Sequence, residues 1–160
     1  MKAEKNPAAP HYNADIQNAR VGIVASRFNG FIVDRLVDGA RATLQEQGIR
    51  DNAVVFLQVP GAFELPVAVK KLADEGNCEG IIALGAVIRG ETAHFDYICS
   101  GVTNGLMRVS LDHGLPVGFG LLTVDNEAQA LARAGEEDNK GRDAAQAVLE
   151  MISLLRRVRQ

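Results

Sequence analysis

"GIIALGAVI", Gly80 to Ile88, is apolar along its whole length. A strand with one face in water alternates polar and apolar residues; a run apolar on both faces suits the centre of a parallel sheet. The flanking sequence repeats the theme. "RVGIVAS" (20–26) and "NAVVFLQVP" (52–60) precede it as short β-branched runs, and "LPVGFGLLTV" (115–124) follows as a fourth. Helical patterns lie between them. In "FIVDRLVDGARATLQEQG" (31–48), Ile32, Val33, Leu36, Val37, Ala40 and Leu44 recur at helical spacing and Gly48 provides a stop. "FELPVAVKKLADEG" (63–76) carries Pro66 in its first turn, where a missing N–H is tolerated.

"HFDYICSGVTNGLMRVSLDHG" (94–114) reads as a helix despite interior glycines that cost about 1 kcal/mol each. A short helix, "NEAQALARAG" (126–135), is capped by Asp125 or Asn126. The last, "NKGRDAAQAVLEMISLLRRVRQ" (139–160), places Ala144, Ala147, Val148, Met151 and Leu154 on one stripe. Its Arg156, Arg157 and Arg159 suit the negative end of the helix dipole. Strands alternating with helices predict an α/β fold, with a four-stranded parallel sheet, helices on both faces and right-handed crossovers. Residues 1–18 read as a polar arm and residues 19–160 as one domain, with no repeat, low-complexity tract or linker. A narrow sheet has edges that need cover, and the arm is a candidate, in this subunit or a neighbour.

With 160 residues, 47% hydrophobic and 23% charged, the chain has the bulk for one buried core. A net charge of −3 and few aromatics, without tryptophan, argue against nucleic acid or an anionic membrane as partner. The arm has no apolar core of a signal peptide and "IIALGAVI" is too short to span a bilayer, so a cytoplasmic protein is expected. Cys78 and Cys99, in no metal spacing, read as reduced thiols.

Ligands of open parallel sheets bind beyond the carboxyl ends of the strands. The residues there are Ser26-Arg27-Phe28-Asn29, Pro60-Gly61-Ala62-Phe63-Glu64, Arg89-Gly90-Glu91-Thr92-Ala93-His94 and Thr123-Val124-Asp125. They combine an exposed aromatic, an amide, a carboxylate, a hydroxyl and an imidazole, a set suited to a flat polar heterocycle with a hydroxylated arm. Gly90 with the N–H groups of Glu91, Thr92 and Ala93 suits a phosphate at a helix start; the plain alternative is a Thr92 cap beside a surface Arg89. Neither a P-loop nor a dinucleotide fingerprint is present. Of three histidines, His11 lies in the arm and His113 near a helix end, and His94 alone sits where proton transfer is useful. Phe28 reads either as a core ring or as a stacking surface, and Glu64 as a dipole partner or a hydroxyl acceptor. Spacing alone leaves Arg133 and Lys140 open between helix-end charges and phosphate clamps.

"SRFNGFI", "VPGAFELP", "GAVIRGETAHFDYIC", "PVGFGLLTVDNEAQALARAG" and "NKGRDAA", in this order, resemble the lumazine synthase family. The match runs from about Arg20 to the C-terminus. The resemblance implies a flavodoxin-like fold and the penultimate reaction of riboflavin biosynthesis, with no cofactor or metal. It implies stacking on the pyrimidine by Phe28, ribityl contacts from Asn29, Ala62, Phe63 and Glu64, and backbone recognition of the pyrimidine edge by Val87 and Ile88. Gly90, Glu91, Thr92 and Arg133 would hold phosphate, and His94 would shuttle protons. It also implies a homopentamer in which Phe119, Arg133, Lys140 and Asp143 enter from the neighbour, and a functional association with riboflavin synthase. Shell-forming members carry a glycine- and lysine-containing loop between the last helices. Here "AGEEDNKG" is acidic, so a sixty-subunit shell does not follow, and Asp143 stands where a longer glutamate is common. Two rival readings are a non-catalytic flavin- or lumazine-binding relative and an unrelated flavodoxin-like signalling module.

Overall fold

A computed structural model describes residues 15–159. The arm up to residue 14, including His11, and the idea that it covers a sheet edge lie outside the described residues. The elements follow the expected alternation: β1 (Val21–Ser26), α1 (Gly30–Glu46), β2 (Val54–Val59), α2 (Leu65–Glu75), β3 (Gly80–Ile88), α3 (His94–His113), β4 (Val117–Val124), α4 (Glu127–Ala132) and α5 (Lys140–Val158). Short 3₁₀ turns precede β2 and α2. The sheet has four strands, all parallel, in the order β2-β1-β3-β4. This is a flavodoxin-like arrangement, whose strand order reverses between β1 and β3.

Alternation along the central strands divides the core in two. Val21, Ile23 and Ala25 of β1 and Ile82, Leu84 and Ala86 of β3 join α1 and α5 on one face. Val24, Ile81 and Ala83 join α2 and α3 on the other. The run that is apolar throughout thus serves two half-cores. One of the two interior glycines of α3 has a packing reason, because a Cβ at Gly105 would lie 2.8 Å from Pro66 of α2. Helix ends fall where left-handed residues allow them: Gly76 after α2 and Gly114 after α3. Of the two candidate caps of α4, Asn126 takes the role, accepting from the Gln129 N–H at 2.9 Å.

Two sequence readings need correction. The stripe that α5 buries is Ala144, Ala145, Val148, Leu149 and Ile152; Ala147 is exposed, and Met151 and Leu154 are 38% and 47% exposed. The rotation of α5 is fixed by close approach to α1, since a Cβ on Gly141 would collide with the Leu36 carbonyl oxygen. Buried Asn139 locks the same junction. Its Nδ2 donates to Arg35 O (3.0 Å) and Gly135 O (3.3 Å), and its Oδ1 accepts from the Arg142 N–H (3.1 Å). Secondly, Ile16, within the stretch read as arm, is 1% exposed and part of the core. The arginines at the end of α5 have specific partners beyond the dipole. Arg156 forks onto Glu79 and donates to the carbonyls of Asp15 and Gln17, while Arg157 pairs with Asp15.

Gly141→Ala should destabilise the chain at the upper end of the roughly 1–3 kcal/mol typical of overpacking, read as a lower urea midpoint with unchanged slope. His113 at the end of α3 joins Asp74 of α2 at 2.8 Å and contacts Val109 O at 3.0 Å. The Asp74 carboxylate, then the Val109 carbonyl, raise the imidazole above its ordinary value; nearby Lys70 opposes this. Asp74 itself is lowered, by Lys70 and then His113, and stays ionised. A raised folded-state value means that the stabilisation is complete below about pH 6.5, the ordinary value, and is lost as pH climbs through the raised one. The Tm advantage of the wild type over His113→Gln should therefore shrink from pH 6 to pH 9; an advantage that grows would contradict the pairing.

Candidate functional site

Beyond the carboxyl ends of β1, β2 and β3 lies a cleft of about 490 Å³. The crossovers after β1 and β3 leave on opposite faces of the sheet, which opens a crevice at this point. Phe28 forms one wall and is 71% exposed. It is held out by its backbone: Arg27 N donates to Val59 O (2.8 Å) and Phe28 N to Pro60 O (3.1 Å). Next comes Asn29 at φ 57°, a left-handed conformation that asparagine tolerates and most side chains resist. Its Nδ2 donates to the Ala86 carbonyl at 2.9 Å, tying the end of β1 to β3. Its amide nitrogen is therefore committed to the scaffold.

Ala62, Phe63 and Glu64 occupy the 3₁₀ turn that leads into α2 and line the same cleft. Ala62 is buried and Phe63 is 64% exposed. Val87 and Ile88 contribute the floor from the last residues of β3. Opposite lie Gly90, Thr92 and His94, with Phe95 and Ile98 behind them. Among the described residues, the N–H groups of Gly90, Glu91, Thr92 and Ala93 have no hydrogen-bond acceptor. Ala93 stands at the N-cap of α3 and offers no capping side chain. Thr92 reaches only the His94 N–H, at a long 3.4 Å. Gly90 has no positive φ, and nothing lies within 4 Å of where its Cβ would be. The chain's own packing does not demand a glycine there, whereas an approaching anion would. The His94 imidazole is exposed and, among the described residues, unbonded.

Phe119, Arg133, Lys140 and Asp143 do not line this cleft. Phe119 projects from edge strand β4, 49% exposed. Arg133 follows α4 and donates to Gln129 O at 2.9 Å. Lys140 begins α5 and pairs with Asp143 (3.1 Å) and Asp138 (3.4 Å). These carboxylates, Asp143 first, raise the Lys140 ammonium and keep it charged. The sequence reading overlooked a cluster around Arg89, just before the turn. Arg89 Nε donates to Asp125 Oδ1 (3.0 Å), Nη1 to Asp96 Oδ1 (3.3 Å), and the guanidinium lies 4.3 Å from the centroid of Phe95. Its signal was the β3–β4 register: Ile88 pairs with Val124, which brings Arg89 beside Asp125. A recess of similar volume opens at the amino-terminal end of the sheet, lined by Arg20, Asn52 and Arg50 among others. Among the described residues no aromatic ring or histidine lines it, so the cleft at the carboxyl end is the candidate site.

The model of the 6,7-dimethyl-8-ribityllumazine synthase family matches residues 18–156. The chain belongs to that family. It is 51% identical over 142 residues to the 6,7-dimethyl-8-ribityllumazine synthase of Desulfovibrio desulfuricans, covering 88% of this chain and 91% of that protein. The synthase of Nitratidesulfovibrio vulgaris strain Miyazaki F is 51% identical over the same shares of each chain. That of Halorhodospira halophila is 46% identical over 144 residues, 89% of this chain and 92% of that one. The family match spans every element that lines the cleft, from the end of β1 to α3.

Asn29 generates a separable expectation here. Asn29→Gly keeps the left-handed backbone but loses the bond to Ala86, whereas Asn29→Ala loses both. Denaturant titration should therefore rank the wild type above Asn29→Gly and Asn29→Ala last, with the alanine variant down by about 2 kcal/mol. Equal stability of all three would refute the clamp.

Proposed function

We propose that this chain condenses 5-amino-6-(D-ribitylamino)uracil with 3,4-dihydroxy-2-butanone 4-phosphate, giving 6,7-dimethyl-8-ribityllumazine, phosphate and water in riboflavin biosynthesis. The observation that carries this reading is one cleft holding an outward-facing ring together with a row of amides and an imidazole that have no partner among the described residues, in a chain of this family.

Phe28 stacks on the pyrimidine. The Asn29 Oδ1, Ala62, Phe63 and Glu64 hold the ribityl chain, and the backbones of Val87 and Ile88 read the pyrimidine edge. The phosphate sits on the N–H groups of Gly90, Glu91 and Thr92, where the positive end of α3 favours an anion. The amine of the uracil attacks the ketone carbonyl, and loss of water gives an imine. Elimination then releases phosphate and leaves an enol, which tautomerises to a ketone at the former carbinol carbon; attack of the ribityl-bearing nitrogen on that new carbonyl closes the ring with loss of a second water. His94 carries protons between these steps. Both reactants are intrinsically reactive, so holding them together removes much of the barrier. A positioned acid–base group adds typically 10²–10⁴-fold.

A homopentamer is part of the proposal, with Phe119, Arg133, Lys140 and Asp143 supplied to the cleft of an adjacent subunit. Their absence from their own chain's cleft supports it, as do Met151, Leu154 and Val158, which α5 leaves exposed. The acidic segment Glu136, Glu137, Asp138 favours the pentamer over a sixty-subunit shell through like-charge repulsion. Free thiols at Cys78 and Cys99 support a cytoplasmic setting, and functional association with riboflavin synthase would follow from consumption of the lumazine.

Mixing both substrates with purified protein should produce lumazine fluorescence well above the rate without enzyme; none would refute the assignment. In the same assay His94→Ala should slow turnover by about 10²-fold without bringing it down to the buffer rate. Arg133→Ala should raise KM for the butanone phosphate much more than it lowers kcat.

A further inference from the structure

Arg89 occupies the junction between β3 and the phosphate-facing turn, yet it does not line the cleft. Its side chain touches three others at once: Asp125 beyond β4, and Asp96 and the face of buried Phe95 in the first turn of α3. Its own N–H donates to Val124 O at 2.8 Å, so backbone and side chain both anchor the start of the turn. An arginine placed to grip an anion directs its donors at the ligand. This one directs its donors at two carboxylates and lays its plane on a ring.

The turn it adjoins has almost no support of its own. Between Arg89 and α3 the sole internal hydrogen bond of the described residues is the long His94–Thr92 contact. A row of free amides binds an anion well only when its geometry is held in advance by surrounding groups.

We propose that Arg89, fixed by Asp125 and Asp96, is a positioning residue that holds the Gly90, Glu91 and Thr92 amides and the first turn bearing His94 in binding geometry. This rests on the synthase reading of the cleft. Arg89 acts as a bracket, and its charge is already balanced by the two aspartates.

The sign of one substitution separates bracket from ligand. Asp125→Ala frees a cation and removes a negative charge beside the turn. If Arg89 served the phosphate through charge, KM for the butanone phosphate would fall. On the positioning role KM rises, by about tenfold, as expected for misaligned charge-assisted bonds, while kcat changes far less. Arg89→Ala should give a similar rise. Arg89→Lys should recover little of it, because an ammonium neither forks between two carboxylates nor stacks as a plane. A fall or no change in KM for Asp125→Ala, or full rescue by lysine, overturns the proposal.

Hydrogen exchange of the folded protein supplies a readout independent of turnover. The amides of Asp96 and Tyr97, which donate to the Ala93 carbonyl at the end of the turn, should exchange faster in Arg89→Ala than in the wild type, and the protection that added inorganic phosphate gives the Gly90, Glu91 and Thr92 amides should diminish; unchanged exchange overturns the role. If the wild type forms no lumazine, the synthase reading falls, and the exchange data without phosphate still decide whether Arg89 holds the turn.

Discussion

The bond from Asn29 Nδ2 to the Ala86 carbonyl spans the place where the strand order reverses, and the cleft depends on it. Chains leaving β1 and β3 must depart to opposite faces, so nothing in the regular sheet holds these two strand ends beyond their last ladder bond. Asparagine at a left-handed position solves two problems together. It turns the chain into α1, and it reaches across to the neighbouring strand. Phe28 is consequently presented outward, between a backbone pinned to β2 and a side chain pinned to β3. A large exposed ring is unfavourable in isolation, and its fixed backbone makes it a preformed platform rather than a frayed core residue.

The opposite wall shows the same preference for ligand over local stability. A serine, threonine, aspartate or asparagine cap at the start of α3 would strengthen the helix by about 0.5–2 kcal/mol. Ala93 stands there instead, and the preceding amides find no acceptor among the described residues. Helices α4 and α5 are capped by Asn126 and Asn139 in the regular way, whereas α1, α2 and α3, which follow the strand ends at the cleft, have no side-chain cap bond. A local rule kept at two helices and broken at the three that start beside the cleft sets that end of the sheet apart.

Much of this was legible in the sequence because apolar runs on both faces have few other homes. The central strand was read to the residue, and the residues after β1, β2 and β3 do converge. Where reading failed, the missing information was relative rotation or register. Helix α5 has two adjacent apolar stripes, and the pattern does not say which belongs to its own core. The contact of Gly141 with α1 decides it. Ile16 was lost inside a polar stretch because its burial depends on α5, whose Ser153 and Arg157 hold Asp15 nearly a whole chain away. The Arg89–Asp125 pair becomes visible only once β3 and β4 are aligned.

Charge completes the argument for assembly. A phosphate monoester brings about two negative charges, and free amides at a helix start offset only a fraction of that. No described residue lining the cleft is a lysine or arginine. Arg89, the cation adjoining the turn, is already matched by Asp125 and Asp96, which raise its guanidinium further above its ordinary value. On the synthase reading, no described residue of the same chain supplies the countercharge, which fits the proposed contribution from a neighbouring subunit. Arg133 fits that need, because it is exposed and gives one N–H to Gln129 O, leaving the rest of its fork for a phosphate across an interface. The buried Asn139 junction then acquires a meaning within the proposed assembly: it fixes the loop joining Arg133 to Lys140, whose N–H donates to Arg133 O at 2.9 Å, and so would hold both cations in place for a neighbouring subunit's cleft.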